Sequence, residues 1–266
     1  MPDDIEPAEL ERRYALEKRL ADRLRRASAA ERPARYAEVY AEYARGVPAE
    51  ADDPGSLALQ ARLLKPWLRP GMTLVEIGAG SGATAPRRVG DGRRVIAVEA
   101  VIPHDATGVE WLRHDQVSRI EPTSVDLAYS CHVLEHLHPE DLPGHFESVL
   151  GWLRPGAPYV MVTPNRLLGP HDISGYFADE PLGFHLREYS HGDLHRAARR
   201  AGFAGTAALG RDGRPRSMWV RRCAELGLEW AGAPARRLIF DGIGAMRRRQ
   251  PLRPLEQVAL AAYAPR

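Results

Sequence analysis

The sequence predicts an α/β fold, a doubly wound and mostly parallel sheet preceded by a helical N-terminal cap. Three observations carry this expectation. The short apolar run Leu74-Val75-Glu76-Ile77 stops in Gly78-Ala79-Gly80-Ser81-Gly82, the pattern of a buried parallel strand turning tightly into a helix. A second run, Arg94-Val95-Ile96-Ala97-Val98, ends in Glu99, seventeen residues past Gly82. Before either of them, residues 6–45 carry helical periodicity.

A chain of 266 residues holds one sizeable α/β domain with decoration. Its 44% apolar and 27% charged residues are ordinary for a globular protein and argue against disorder. No apolar run approaches the 18 or so residues of a membrane helix, and the acidic, amphipathic N-terminus lacks the basic and apolar regions of a signal peptide. A cytoplasmic location is expected, with no membrane partner. The net charge is +2, and the basic residues are nearly all arginine, with Lys18 and Lys65 the only lysines. That bias, alongside abundant alanine, weakens any reading of arginine clusters. Cys131 and Cys223 lie far apart and match no metal spacing, which points to a reducing compartment without a structural disulfide.

In chain order, the first helical stretch breaks near Ser28-Ala29 and restarts at Pro33. Tyr36, Tyr40 and Tyr43 recur at spacings of four and three and so share one face. Packing against the following domain is favoured for them over substrate contact. A Pro-, Asp- and Ala-rich linker at 46–55 leads to a helix around 57–68 and, through Pro70-Gly71, to the first strand at 72–77. A helix from 81 and strands at 94–99 and near 109–113 follow. Only nine residues, 100–108, join the last two strands, too few for a crossover helix, so a turn is expected there. Further on come a helix at 190–201, a strand near 203–209 and a terminal strand at 258–263. Between them an insertion at about 210–255 carries Trp219, Trp230, Arg237-Leu238-Ile239-Phe240-Asp241 and Arg247-Arg248-Arg249. Lysine is nearly absent and the net charge small, so these arginines read as a solvated face and a nucleic-acid partner is not expected.

Glycines let a backbone approach a ligand closely and adopt positive φ, and a helix start offers free N–H groups. The loop after the first strand therefore suits a nucleotide-like ligand. Gly78, Gly80 and Ala83 formally fit the dinucleotide pattern of an NAD-dependent dehydrogenase. Glu76, two residues before the first glycine, instead suits a cationic amino-acid group such as that of S-adenosylmethionine, since it would repel a pyrophosphate. Glu99 can take both hydroxyls of a ribose in either ligand.

The ordered motifs resemble those of the class I S-adenosylmethionine-dependent methyltransferases over about residues 72–205. Ser124-Val125-Asp126-Leu127-Ala128-Tyr129-Ser130 with His132-Val133-Leu134-Glu135-His136-Leu137 looks like the family's fourth strand and following turn. Leu153-Arg154-Pro155-Gly156 through Val162-Thr163-Pro164-Asn165 looks like its passage into the fifth strand. His185-Leu186-Arg187-Glu188-Tyr189-Ser190, Asp193-Leu194 and Ala201-Gly202-Phe203 match a subgroup acting on small molecules and lipids. The resemblance implies a Rossmann-like, seven-stranded sheet whose last strand is antiparallel. It also implies a cap or lid at 1–55 over a methyltransferase domain at 56–266. The reaction implied is methyl transfer from S-adenosylmethionine to a small organic acceptor of specialised metabolism, with O-methylation ahead of N- and C-methylation. The cofactor set is Glu76, Gly78, Ala79, Gly80, Gly82, Glu99, Asp115 toward the adenine, and Ser130 and Cys131 toward the methionine portion.

Three roles stand open for His132, Glu135, His136 and His185. His136 or His185, supported by Glu135, can act as a general base. All four can hold a divalent metal that acidifies the acceptor. Small-RNA 3′-end 2′-O-methyltransferases and some quinone-pathway O-methyltransferases place Glu and His ligands at similar positions, but His132 stands where those families have a carboxylate. The third role is to hydrogen-bond the loop; it is favoured slightly over the base, and the metal comes last. The segment between Asn165 and Glu188 exceeds the usual connection length and is expected to form an acceptor wall through His171, Tyr176 and Phe177, with His132 nearby. The alternatives are a protein that binds S-adenosylmethionine without transfer and an RNA 2′-O-methyltransferase with a metal site.

Overall fold

The computed structural model describes residues 6–47, 54–80, 84–100, 108–219, 221–230 and 257–266. Its sheet is built from β1 (Thr73–Ile77), β2 (Arg94–Glu99), β3 (Val109–Arg113), β4 (Leu127–Cys131), β5 (Pro158–Pro164), β6 (Gly205–Leu209), β7 (Pro215–Arg216) and β8 (Gln257–Tyr263). Their order is β3-β2-β1-β4-β5-β8-β6-β7. The first five are mutually parallel, and β8 runs antiparallel to both β5 and β6. The expected mostly parallel sheet with an antiparallel last strand is present. The two-residue β7 adds an eighth strand to the expected seven by turning back on β6 through Gly213, at φ 73°.

Alternation along β1 explains why this sheet is covered on both faces. Leu74 and Val75 point to opposite sides, and both are fully buried. Leu74 joins Val95, Leu127, Tyr129 and Val160 beneath Leu63 and Leu64 of α3 (Pro54–Leu64). Val75 joins Ile96, Ala128, Tyr159 and Met161 beneath Phe146 and Val149 of α4 (Leu142–Trp152) and Leu194 and Ala198 of α5 (His191–Arg200). Ser190 caps α5 reciprocally with Asp193, which fixes where the chain leaves the sheet edge.

Among the described residues, the helix expected from 81 is a single 3₁₀ turn, Ala85–Arg88. Pro86 lies at its start and Gly90, Asp91 and Gly92 all take positive φ just after it, so the chain reverses before a longer helix can build. Ser81, Gly82 and Ala83, residues 101–107 of the connection where a turn is expected, and the arginine-rich part of the insertion lie outside the described residues.

The N-terminal residues form a helical hairpin, α1 (Pro7–Arg26) and α2 (Arg32–Gly46). Leu20, Ala21, Leu24 and Val39 bury an apolar seam against Phe184 and Leu186. Arg25 donates to the carbonyls of Pro181, Leu182 and His185, and the buried Arg32 pairs with Asp141 at 2.7 Å. The hairpin is thereby fastened to the long segment after β5 through Arg25 and to the start of α4 through Arg32.

Candidate functional site

The carboxyl ends of β1, β2 and β4 meet at one edge of the sheet. Gly78 and Gly80 sit there at φ 70° and 56°. A Cβ on Gly78 would run into Val133 Cγ2, so this glycine lets the turn after β4 close on the loop after β1. Around Gly80 the space is open. The Gly80 N–H donates to Glu99 Oε2 at 2.7 Å, and the Ala100 N–H to Glu99 Oε1 at 2.7 Å, tying the end of β2 to the glycine loop. Burial pushes the Glu99 carboxyl above its ordinary range despite these donors. Ala79 is buried beside them.

Glu76 is only 2% exposed and already holds two partners. Thr84 Oγ1 donates to its Oε1 at 2.6 Å, and the Arg88 guanidinium lies against Oε2 while covering the Tyr129 ring at 4.8 Å. The carboxylate expected to await an ammonium group is thus an ion-pair partner in this arrangement. Asp115 lies beyond β3 on the surface in a two-pronged contact with Arg113, at 3.1 and 3.0 Å.

Ser130 and Cys131, adjacent on β4, face opposite sides. The Ser130 hydroxyl bonds Tyr159 Oη at 2.7 Å, which in turn meets His145 Nε2 at 2.9 Å. Ser130 therefore points under α4, away from the glycine loop. Burial pushes the Cys131 thiol up to about 12, so it is neutral, and it packs with the residues beneath α3.

The turn after β4 is no α-helix. His132 takes φ 56°, and a 3₁₀ turn follows at Leu134–His136. A non-glycine residue in the left-handed region is held there by its surroundings. The His132 N–H donates to the Val162 carbonyl, and its Nδ1 meets Glu135 Oε1 at 2.9 Å. Gln257 Nε2 approaches its other ring nitrogen at 3.2 Å. Glu135 is fully buried, with Thr163 Oγ1 donating to Oε2 at 2.8 Å. Burial pushes its carboxyl up, but the His132 hydrogen bond and the neighbouring imidazoles outweigh this and hold it at about 2.

His136 and His185 face each other, with ring centroids 5.0 Å apart. His136 Nδ1 lies 2.9 Å from the Phe184 carbonyl, which only accepts, so Nδ1 carries the proton and Nε2 a lone pair. Burial pushes this ring's pKa down to about 4. His185 Nδ1 meets Glu188 Oε1 at 2.8 Å. Burial opposes the charged form of His185, yet the Glu188 contact outweighs it and raises the pKa. A donor atom from each of Glu135, His136 and His185 lies within 4.8 Å of the other two, whereas His132 joins the group only through Glu135.

The residues expected to wall the acceptor are dispersed. His171 Nε2 donates to the Asn165 carbonyl at 3.0 Å, Phe177 stacks on Tyr14 of α1 at 4.3 Å, and Tyr176 is 51% exposed. The ring nearest the histidines from the hairpin is Tyr40, edge-on to both Phe184 and His136, while Tyr43 stacks on Phe184. Thr163, Glu188 and Gln257 are site residues that the sequence did not single out, and Tyr40 is one that it assigned to packing. Glu188 alone carried a visible signal, since His185-x-x-Glu188 repeats the spacing of His132-x-x-Glu135.

A family model described as a methyltransferase domain matches residues 40–208. The chain belongs to that methyltransferase family. No curated protein matches this methyltransferase in sequence. Among solved structures it resembles the 1,6-didemethyltoxoflavin-N1-methyltransferase of Burkholderia thailandensis, with bound 1,6-didemethyltoxoflavin and S-adenosylhomocysteine. The TM-score is 0.57 at 17% identity, over 90% of this chain and 92% of that one. A TehB-like S-adenosylmethionine-dependent methyltransferase of Corynebacterium glutamicum gives 0.51 at 16%, over 87% and 98%. Phosphoethanolamine N-methyltransferase 2 of Haemonchus contortus, in complex with S-adenosylmethionine, gives 0.51 at 15%, over 93% and 60%. These likenesses agree with the methyltransferase fold.

Proposed function

We propose that this methyltransferase binds S-adenosylmethionine at the carboxyl edge of β1, β2 and β4 and moves its methyl group to a small organic acceptor. The observation that carries the reading is the contact of Val133 with Gly78, which sets the glycine loop against the turn holding Glu135 and His136. Donor loop and proton-handling side chains then share one edge, where α/β sheets bind ligands. The solved relatives from Burkholderia and Haemonchus hold S-adenosylhomocysteine and S-adenosylmethionine, which supports the same cofactor here. Of the expected contacts, Gly78, Ala79, Gly80 and Glu99 support the reading by their place on this edge, and Glu76 does so if Arg88 shares it with the ligand. Residues 1–55 are read as a cap over a domain at 56–266, and the protein as cytoplasmic; among the described residues no helix is long and apolar enough to cross a membrane.

Methyl transfer from a sulfonium is an in-line displacement on an already activated donor, so the protein mainly supplies proximity and orientation. An acceptor that must lose a proton needs more, and Glu135, His136 and His185 supply groups for it. This supports O-methylation first and N-methylation second. Calorimetric titration with S-adenosylmethionine, S-adenosylhomocysteine and NAD tests the reading. Both adenosyl ligands should bind and NAD should not; NAD binding alone, or a folded sample that binds none of them, would overturn it.

A further inference from the structure

We propose that Glu135, His136 and His185 form a site for a divalent transition metal, with open coordination positions for a hydroxyl-bearing acceptor. The proposal deepens the methyltransferase reading and rests on it for the acceptor's role. One donor atom of each residue lies within 4.8 Å of the others. Each ring has one nitrogen tied to a protein acceptor, the pattern of histidines that ligate a metal through the other. His136 Nδ1 is committed to the Phe184 carbonyl and His185 Nδ1 to Glu188, which leaves Nε2 on each ring for coordination. Neither Nε2 has a hydrogen-bond partner among the described residues, so both are available to a ligand. Glu135 is braced in the same way, Thr163 donating to one oxygen and His132 meeting the other. Glu188 is braced in turn by the His171 N–H at 2.7 Å. Supporting partners of this kind orient ligands and are expensive to lose.

Two imidazoles and one carboxylate suit borderline divalent metals and leave positions open, whereas magnesium and calcium favour all-oxygen sets. A hydroxyl oxygen bound at an open position loses its proton to solvent more readily. Its electron pair then forms the new C–O bond as the C–S bond of the sulfonium breaks, and the bonding pair of that broken C–S bond stays on sulfur to give S-adenosylhomocysteine.

The test is titration of the full-length, metal-stripped protein with Co²⁺, followed by its visible absorption, in parallel with calorimetric titration of S-adenosylhomocysteine. One Co²⁺ per chain is expected, with excess Mg²⁺ failing to displace it. His136→Gln and His185→Gln should each weaken binding at least about 100-fold, Glu188→Gln by roughly 10- to 100-fold, and His195→Gln on α5, whose ring bonds Thr206 of β6, should leave it unchanged. A folded wild-type protein without a Co²⁺ spectrum, or one whose binding survives both ligand substitutions, overturns the metal site. S-adenosylhomocysteine binding without Co²⁺ would remove the metal and spare the methyltransferase reading; Co²⁺ binding without S-adenosylhomocysteine would do the reverse.

Discussion

At the scale of single residues, two glycines separate steric need from conformational need. Gly78 requires both positive φ and a bare Cα under Val133, while Gly80 requires only the first. Gly80→Ala should therefore cost about 1 kcal/mol of left-handed backbone preference, and Gly78→Ala roughly 2–4 kcal/mol, because displacing Val133 adds a packing penalty. Urea unfolding measures the difference, and equal losses would contradict it. Gly78→Ala should also abolish S-adenosylhomocysteine binding by displacing the turn that meets the loop. His145 supplies a pH effect of definite sign. Burial alone lowers its pKa from 6.5 to about 4, so the folded state resists its protonation. Stability is complete above pH 6.5 and declines as the pH falls toward 4, where the unfolded chain binds the proton first. Melting followed over that interval should show a shallower decline in His145→Gln than in the wild type; identical slopes would rule out this histidine as a contributor.

At the scale of elements, Phe184 joins hairpin to site. It stacks on Tyr43 at 4.8 Å, meets Tyr40 edge-on at 5.1 Å and presents its carbonyl to His136. Phe184→Ala removes the centre of that apolar seam and should lower stability by about 3 kcal/mol. Limited proteolysis should then cut α1 and α2 sooner than in the wild type, and an unchanged cleavage rate would show that the hairpin is held by Arg25 and Arg32 alone.

The strands were legible because burial on both faces writes continuous apolar runs, and the tyrosine face of α2 because helical spacing does the same. Several site details were not. Strand alternation says that Ser130 and Cys131 must face opposite ways, but only Tyr159 and His145 decide which one turns under α4. The Glu76 partner is an arginine twelve positions on, brought back by a 3₁₀ turn that no periodicity announces. Gln257 reaches His132 only because β8 lies beside β5, a pairing that spans all of residues 165–256, the whole insertion included.

At the scale of the whole molecule, the proposed cofactor would touch parts that the chain supplies separately: the glycine loop after β1, Glu99 at the end of β2 and the turn after β4. A ligand bridging such parts stabilises them together. S-adenosylhomocysteine at 100 times its Kd should add about 2.7 kcal/mol, a rise in Tm of roughly 5–10 °C for a chain of this size, while NAD at the same concentration should leave Tm unchanged. The hairpin sharpens this expectation. The proposed role as a cap requires it to gain contacts when the cofactor is bound, so S-adenosylhomocysteine should slow proteolysis of α1 and α2 as well as raise Tm. A rise in Tm without that protection would place the ligand on the sheet edge and leave the hairpin as packing alone, since Tyr36, Tyr40 and Tyr43 would then serve only the seam they already bury.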